Sequence, residues 1–142
     1  GVRRANSLDE VFKEADYISL HTNLTPETRD MISAKNIGKM KKGVLILNCA
    51  RGEIVNTADM VAALNSGQVG GYGTDVLDHE PPPADHPLLK LPNVVCTPHV
   101  ASRTFESVVR QATTSVKNLI LAMNGEKPIA QVNPEVPVKK AG

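Results

Sequence analysis

The chain has 142 residues, 41% of them hydrophobic and 22% charged, which suits one soluble globular domain able to bury a core. Its 16 basic and 15 acidic groups leave a formal charge of +1, so nothing in the charge balance points to nucleic acid or an anionic membrane as a partner. No apolar run approaches the ~20 residues of a spanning helix, and Gly1-Val-Arg-Arg4 lacks the apolar segment of a signal peptide, so no membrane association and a cytoplasmic location are expected.

Ser7 and Glu10 have the S-x-x-E spacing of a reciprocal helix cap and predict a short helix over about residues 8–14. Asp16-Tyr-Ile-Ser-Leu-His21 is rich in strand formers and stops at Asn23-Leu-Thr-Pro26, so it reads as a first strand. Ser33 is placed to cap a weak helix through Met40, which Lys41-Lys-Gly43 breaks before the second strand, Val44–Leu47. Thr57 is placed to cap a helix whose Met60, Val61 and Leu64 share a face and whose stop is Gly67. Gly70–Val76 and Asn93–Cys96 are the third and fourth strands, the third carrying glycines that suggest close backbone packing or a nearby ligand. From about Ser102 to Asn124 the residues Val108, Val109, Ala112, Val116, Leu119, Ile120 and Met123 repeat at helical spacing, and Gly125 ends them. Residues 126–142 carry three prolines and no period, which predicts an extended tail. Apolar strands alternating with helices imply an α/β fold with a parallel sheet covered on both faces. Cys49 and Cys96 each end an apolar run without C-x-x-C spacing and are expected to be reduced and buried, not paired or bound to zinc.

Such sheets build their sites just past the C-terminal strand ends, and three of those positions carry chemistry. After the second strand, Arg51 offers paired donors in one plane, which suits a carboxylate such as that of a 2-oxo acid; a surface arginine or one capping a helix C-terminus is the alternative. After the third strand, Glu80 stands where prolines end regular structure, either as an orienting acid or as a solvated loop residue. After the fourth, His99 stands before the long helix, either as a proton carrier near neutral pH or as a loop residue. Arginine, acid and histidine at successive strand ends favour an active site. Asp78, His79, Glu80, Asp85 and His86 are a rival metal-binding stretch, but three prolines separate the two histidines, so no metal is expected.

Leu20-His-Thr-Asn-Leu-Thr-Pro-Glu-Thr28, Asn48-Cys-Ala-Arg-Gly52, Asp75-Val-Leu-Asp-His-Glu-Pro81 and Thr97-Pro-His-Val-Ala-Ser102 closely resemble, in order and spacing, the D-isomer-specific 2-hydroxyacid dehydrogenases. The resemblance covers roughly residues 1–133. It implies a Rossmann-type doubly wound parallel sheet and hydride transfer between NAD(H), with NADP not excluded, and a small D-2-hydroxy or 2-oxo acid. By that resemblance Arg51 binds substrate, Glu80 hydrogen-bonds His99, and His99 protonates the carbonyl oxygen. Thr22, Cys49, Ala50, Arg51, Asp75, His99 and Ala101 match positions that line the cofactor site, with Asp75 on the nicotinamide side. Ala101 departs slightly, since many members carry glycine one or two places after the histidine. A homodimer is the assembly the family implies.

The strand followed by G-x-G-x-x-G and the ribose-binding acid that complete such a domain are not found in the sequence, and Gly67, Gly70, Gly71 and Gly73 have neither the spacing nor the strand-to-helix setting to replace them. The expectation is therefore a C-terminal part of a coenzyme-binding domain over 1–125 with a tail over 126–142, the first βαβ unit being missing. The alternative is a non-catalytic nucleotide-binding or corepressor-like module of the same fold.

Overall fold

The computed structural model describes residues 1–139. The chain separates into two compact units, Gly1–Ala101 and a second that begins at Ser102.

In the first unit, β1 (Tyr17–Leu20), β2 (Val44–Asn48), β3 (Val69–Thr74) and β4 (Val94–Cys96) form one sheet in the order β1-β2-β3-β4, and each neighbouring pair is parallel. Every crossover must therefore return the chain to the same end, and α1 (Leu8–Glu14), α2 (Ala34–Ile37) and α3 (Thr57–Ser66) fill the connections before β1, β2 and β3. All four C-terminal strand ends consequently lie along one edge. Alternate residues of β1 and β2 turn inward, and with Val69 and Tyr72 of β3, where the register shifts, Ile18, Leu20, Val44 and Ile46 join Phe12 of α1, Ile37 of α2 and Met60 and Leu64 of α3 in a single core. Each such aliphatic side chain contributes about 1.5–3 kcal/mol relative to exposure.

The opposite face carries no helix of this unit. Tyr17, Leu47 and Val95 are 71%, 44% and 70% exposed, because every helix of this unit packs on the other face. The strands β1 and β2 therefore alternate in burial even though β2 reads as a continuous apolar run.

The caps show where local pattern and tertiary context part. Ser7 accepts the Glu10 N–H as expected, but the Glu10 carboxylate accepts from the Asn6 N–H and the Arg3 guanidinium, so the reciprocal half of the box goes to Asn6. Ser33 makes no side-chain cap; the first free N–H of α2, at Ala34, is taken by Asp59 from α3 at 2.7 Å, and α2 is a single turn ending at Ile37. Asn56, not Thr57, caps α3 by accepting from the Asp59 N–H, while Gly67 closes it in the left-handed conformation at φ 72°. The third strand lies at Val69–Thr74, one residue earlier than expected at its start and two at its end. Two 3₁₀ turns, Gly52–Ile54 and Pro87–Lys90, have no counterpart in the sequence pattern. Cys49 is exposed and Cys96 only half-buried, against the expectation that both are interior.

In the second unit α4 spans Phe105–Met123, three residues later than the pattern alone suggests, because Thr104 and Ser107 form a complete capping box. Its stripe of Val109, Val116, Leu119, Ile120 and Met123 is more than half exposed. Gly125 follows at φ 78°, and the Asn118 amide oxygen accepts from the N–H groups of Ile129 and Ala130, turning the chain back beside α4. The last part of the expected tail, residues 140–142, lies outside the described residues. No helix among the described residues is long and apolar enough to cross a membrane.

Candidate active site

Parallel strands carry Thr22, Arg51, Glu80 and His99 to the same edge of the sheet, each in the loop that leaves a different strand. Arg51 and Ala50 wall a cavity of about 470 Å³ with Thr22, Asn23 and Cys49, and Arg51 also borders a second cavity of about 310 Å³ shared with Glu80 and His99. The structure thus brings together the three residues that the sequence marks separately.

Two of the three are in direct contact, His99 Nδ1 lying 2.6 Å from Glu80 Oε2. The other oxygen of Glu80 accepts the Leu77 N–H at 3.1 Å, so the carboxylate is gripped at both ends. The His99 hydrogen bond, helped by the Leu77 N–H, holds the Glu80 carboxyl below its usual range against the opposing effects of burial and of the Asp75 charge. An ionised carboxylate at Nδ1 fixes the ring's orientation and leaves Nε2 as the nitrogen free to exchange a proton.

Asp75, only 3% exposed, organises the histidine loop from beneath. Its Oδ1 accepts from Thr97 Oγ1 at 2.5 Å and the Val100 N–H at 2.9 Å, its Oδ2 accepts the Ala101 N–H at 2.8 Å, and its backbone carbonyl takes the His99 N–H. Burial pushes the Asp75 carboxyl up, but the bonds from Thr97, Val100 and Ala101 together outweigh it and leave the group below its ordinary value. These bonds also hold His99 at φ 54°, a backbone conformation that a residue with a β-carbon enters only when its surroundings enforce it.

The Arg51 turn has its own brace. Asn48, wholly buried at the end of β2, accepts the Ala50 N–H at 3.0 Å and donates to the Arg51 carbonyl at 2.9 Å, and the Arg51 guanidinium donates to the Ala50 carbonyl at 2.7 Å. The next residue, Gly52, packs directly on the Leu77–Asp78 backbone: a Cβ there would stand 2.1 Å from the Leu77 carbonyl carbon. Only glycine lets the arginine loop and the glutamate loop touch. The sequence reading marks Asn48 and Gly52 only as the ends of the motif around Arg51, without a role for either; the available signal for Asn48 is a polar side chain directly after the apolar run Val44–Leu47.

Asp78 and His86 form a pair outside the proton path. Asp78 accepts from His86 Nε2 at 2.9 Å and from Thr57 Oγ1 at 2.8 Å, which ties the glutamate loop to the first turn of α3. Burial raises the Asp78 carboxyl, but the bonds from His86 and Thr57 bring it below its ordinary value. His86 is itself buried, with Nδ1 unpartnered, whereas His79 is exposed and 3.8 Å from Asp78. Among the described residues no three His, Cys, Asp or Glu side chains are grouped to share a metal.

The sequence profile of the D-isomer specific 2-hydroxyacid dehydrogenase NAD binding domain matches residues 1–101. The chain belongs to this family. A glyoxylate reductase of Thermofilum pendens is 43% identical over 129 residues, covering 91% of this chain and 38% of that protein. A glyoxylate/hydroxypyruvate reductase B of Citrobacter koseri is 41% identical over 91% of this chain and 40% of its own length. Among solved structures, a D-lactate dehydrogenase with NAD+ from Lactobacillus jensenii superimposes with TM-score 0.83 at 38% identity, over 89% of this chain and 42% of that one. This dehydrogenase-family chain thus spans about two fifths of the length of the relatives it matches. The fold is the α/β Rossmann-type architecture of that NAD binding domain.

Proposed function

We propose that this chain supplies one wall of the active site of an NAD-dependent D-2-hydroxyacid dehydrogenase, interconverting a small 2-oxo acid and its D-2-hydroxy acid. The observation that carries the reading is the 2.6 Å His99–Glu80 contact beside Arg51 around one cavity. Bound NAD(H) gives or takes a hydride, the two-electron half of such a reaction. The residues at the β1 and β2 ends fit that group: their cavity is walled by His21, Thr22, Asn23, Leu24, Cys49, Ala50 and Arg51, with no carboxylate among them to repel a phosphorylated ligand.

In this reading the Arg51 guanidinium exchanges its bond to the Ala50 carbonyl for a bidentate contact with the substrate carboxylate, which sets the keto group towards His99. His99 Nε2 donates a proton to the carbonyl oxygen as charge develops there, and recovers one from the hydroxyl in the reverse direction. Glu80, kept ionised, accepts the hydrogen bond from Nδ1–H: it stabilises the imidazolium that donates from Nε2, and it fixes the neutral tautomer whose bare Nε2 takes a proton in the reverse direction. Ala101 and Asp75 serve as the anchor that keeps His99 at this edge. Self-association belongs to the same proposal, since β1 stands at the edge of the four-stranded sheet among the described residues.

His99→Ala in the full-length protein tests it. Turnover of a small 2-oxo acid is expected to fall at least ~100-fold, with the dissociation constant for NAD changed far less, because the proton donor is lost while the cofactor wall stays. Near-normal turnover would end the assignment.

A further inference from the structure

We propose that Asn48 is a positioning residue for substrate binding, setting the Arg51 turn through its side-chain amide; this rests on the reading of Arg51 given above. Asn48 sits at 0% exposure on the inward face of β2, among apolar neighbours, where an amide has no place unless its polar atoms are used. Both ends are used. Oδ1 accepts the Ala50 N–H, and Nδ2 donates to the Arg51 carbonyl at 2.9 Å and, more weakly, to the Tyr72 hydroxyl at 3.3 Å. The amide therefore closes a ring over Cys49-Ala50-Arg51, and the same segment's Ala50 carbonyl holds the guanidinium. The Asn48 backbone carbonyl accepts the Asp75 N–H and the Thr74 hydroxyl, so the ring is also joined to the strand whose loop carries Glu80. Arg51 itself is exposed, and the bonds from Asn48 supply the order its own side chain lacks. The turn's geometry, not only the arginine's charge, then decides how well a carboxylate is met.

The proposal is tested in the full-length protein with Asn48→Ala and Asn48→Asp, a small 2-oxo acid as the probe, steady-state kinetics across pH, and Arg51→Lys in parallel. Asn48→Ala is expected to raise KM for the oxo acid at least tenfold, with the pH midpoint of kcat set by the His99–Glu80 pair unchanged. Asn48→Asp has the same shape but, when ionised, turns a donor into an acceptor facing the Arg51 carbonyl. Protonation restores a donor, so its KM is expected to recover towards the wild-type value as pH falls, which Asn48→Ala cannot do. Thermal unfolding confirms that each variant is folded. If Asn48→Ala does not fold, the pH-dependent recovery of Asn48→Asp decides alone. Arg51→Lys impaired while KM in the Asn48 variants stays within twofold of wild type would overturn this proposal. Arg51→Lys unimpaired would show instead that the substrate reading of Arg51 has failed, and the positioning role with it.

Discussion

Gly52→Ala puts the contact between the arginine and glutamate loops to a quantitative test. The added carbon would lie 2.1 Å from the Leu77 carbonyl carbon, 2.2 Å from its oxygen and 2.4 Å from the Asp78 nitrogen. Ordinary contact begins near 3.4 Å, so one loop must retreat by about 1.3 Å, and no flexible side chain is there to swing aside. Overpacking of this kind costs about 1–3 kcal/mol, and a rigid backbone obstruction belongs at the upper end. At roughly 4 °C per kcal/mol for a chain of this size, the midpoint of thermal unfolding should drop by about 12 °C. The retreat also falls on the segment that carries Glu80, whose 2.6 Å bond to His99 tolerates little displacement; a misplacement near 1 Å can cost about 100-fold in turnover. Gly73→Ala is the control, since its added carbon would meet only the Leu47 side chain at 3.8 Å on the open sheet face. Calorimetry on the chain and steady-state rates in the full-length protein are the assays. A midpoint within 2 °C of wild type together with unchanged kcat/KM would refute the claim that Gly52 sets the spacing of the two loops.

Arg51→Lys is expected to raise KM for a small 2-oxo acid and slow turnover, because an ammonium cannot reproduce the bidentate contact; unchanged kinetics would place Arg51 outside the substrate site. Asp78→Ala leaves the buried His86 with both ring nitrogens unpartnered and should cost about 1–3 kcal/mol, read as a lower urea midpoint, and a midpoint unmoved would show the pair to be idle. For acid stability the sign follows from proton uptake: Asp75, Asp78 and Glu80 all have carboxyls below their unfolded values, so the folded state binds fewer protons and stability is lost as pH falls below about 4. Asp75→Asn should flatten that acid limb in urea titrations at successive pH values, and an unaltered limb would mean that Asp75 is not a source of it.

The strands, the caps at Ser7 and Gly67 and the helical stripe of α4 could be read in the sequence because each is decided within a few residues by period or by one capping group. Readings failed where a distant residue intervened. Ser33 looks like a cap until Asp59, 25 positions on from Ala34, takes the N–H that it would have served. The sequence gives Asp78 and His86 no partner once metal binding is set aside, and only the fold shows that Asp78 bonds both His86 and Thr57. The strand β2 shows the same limit: an apolar run reports that burial is wanted, while the identity of the covering layer is not encoded in the strand.

The site divides along the same line. Arg51, Glu80 and His99 stand out because chemistry demands their side chains and a parallel sheet dictates where they fall. What orders them is carried by residues whose types are ambiguous: an asparagine ending a strand, an aspartate below a histidine loop, a glycine after an arginine. Two of them act on a segment reached only after folding, Gly52 on the Leu77–Asp78 backbone and Asp75 on Val100 and Ala101, 25 and 26 residues away. Their shared property is physical: Asn48 and Asp75 are buried polar groups that each make two side-chain bonds to the backbone of a strand-end loop, and Gly52 is a buried absence of side chain at a backbone crossing. A buried polar group costs more when unpartnered than it contributes when bonded, so once these bonds form, the loops have few alternative arrangements of comparable energy. Exposed side chains such as Arg51 and His99 can then act from fixed positions without being buried themselves.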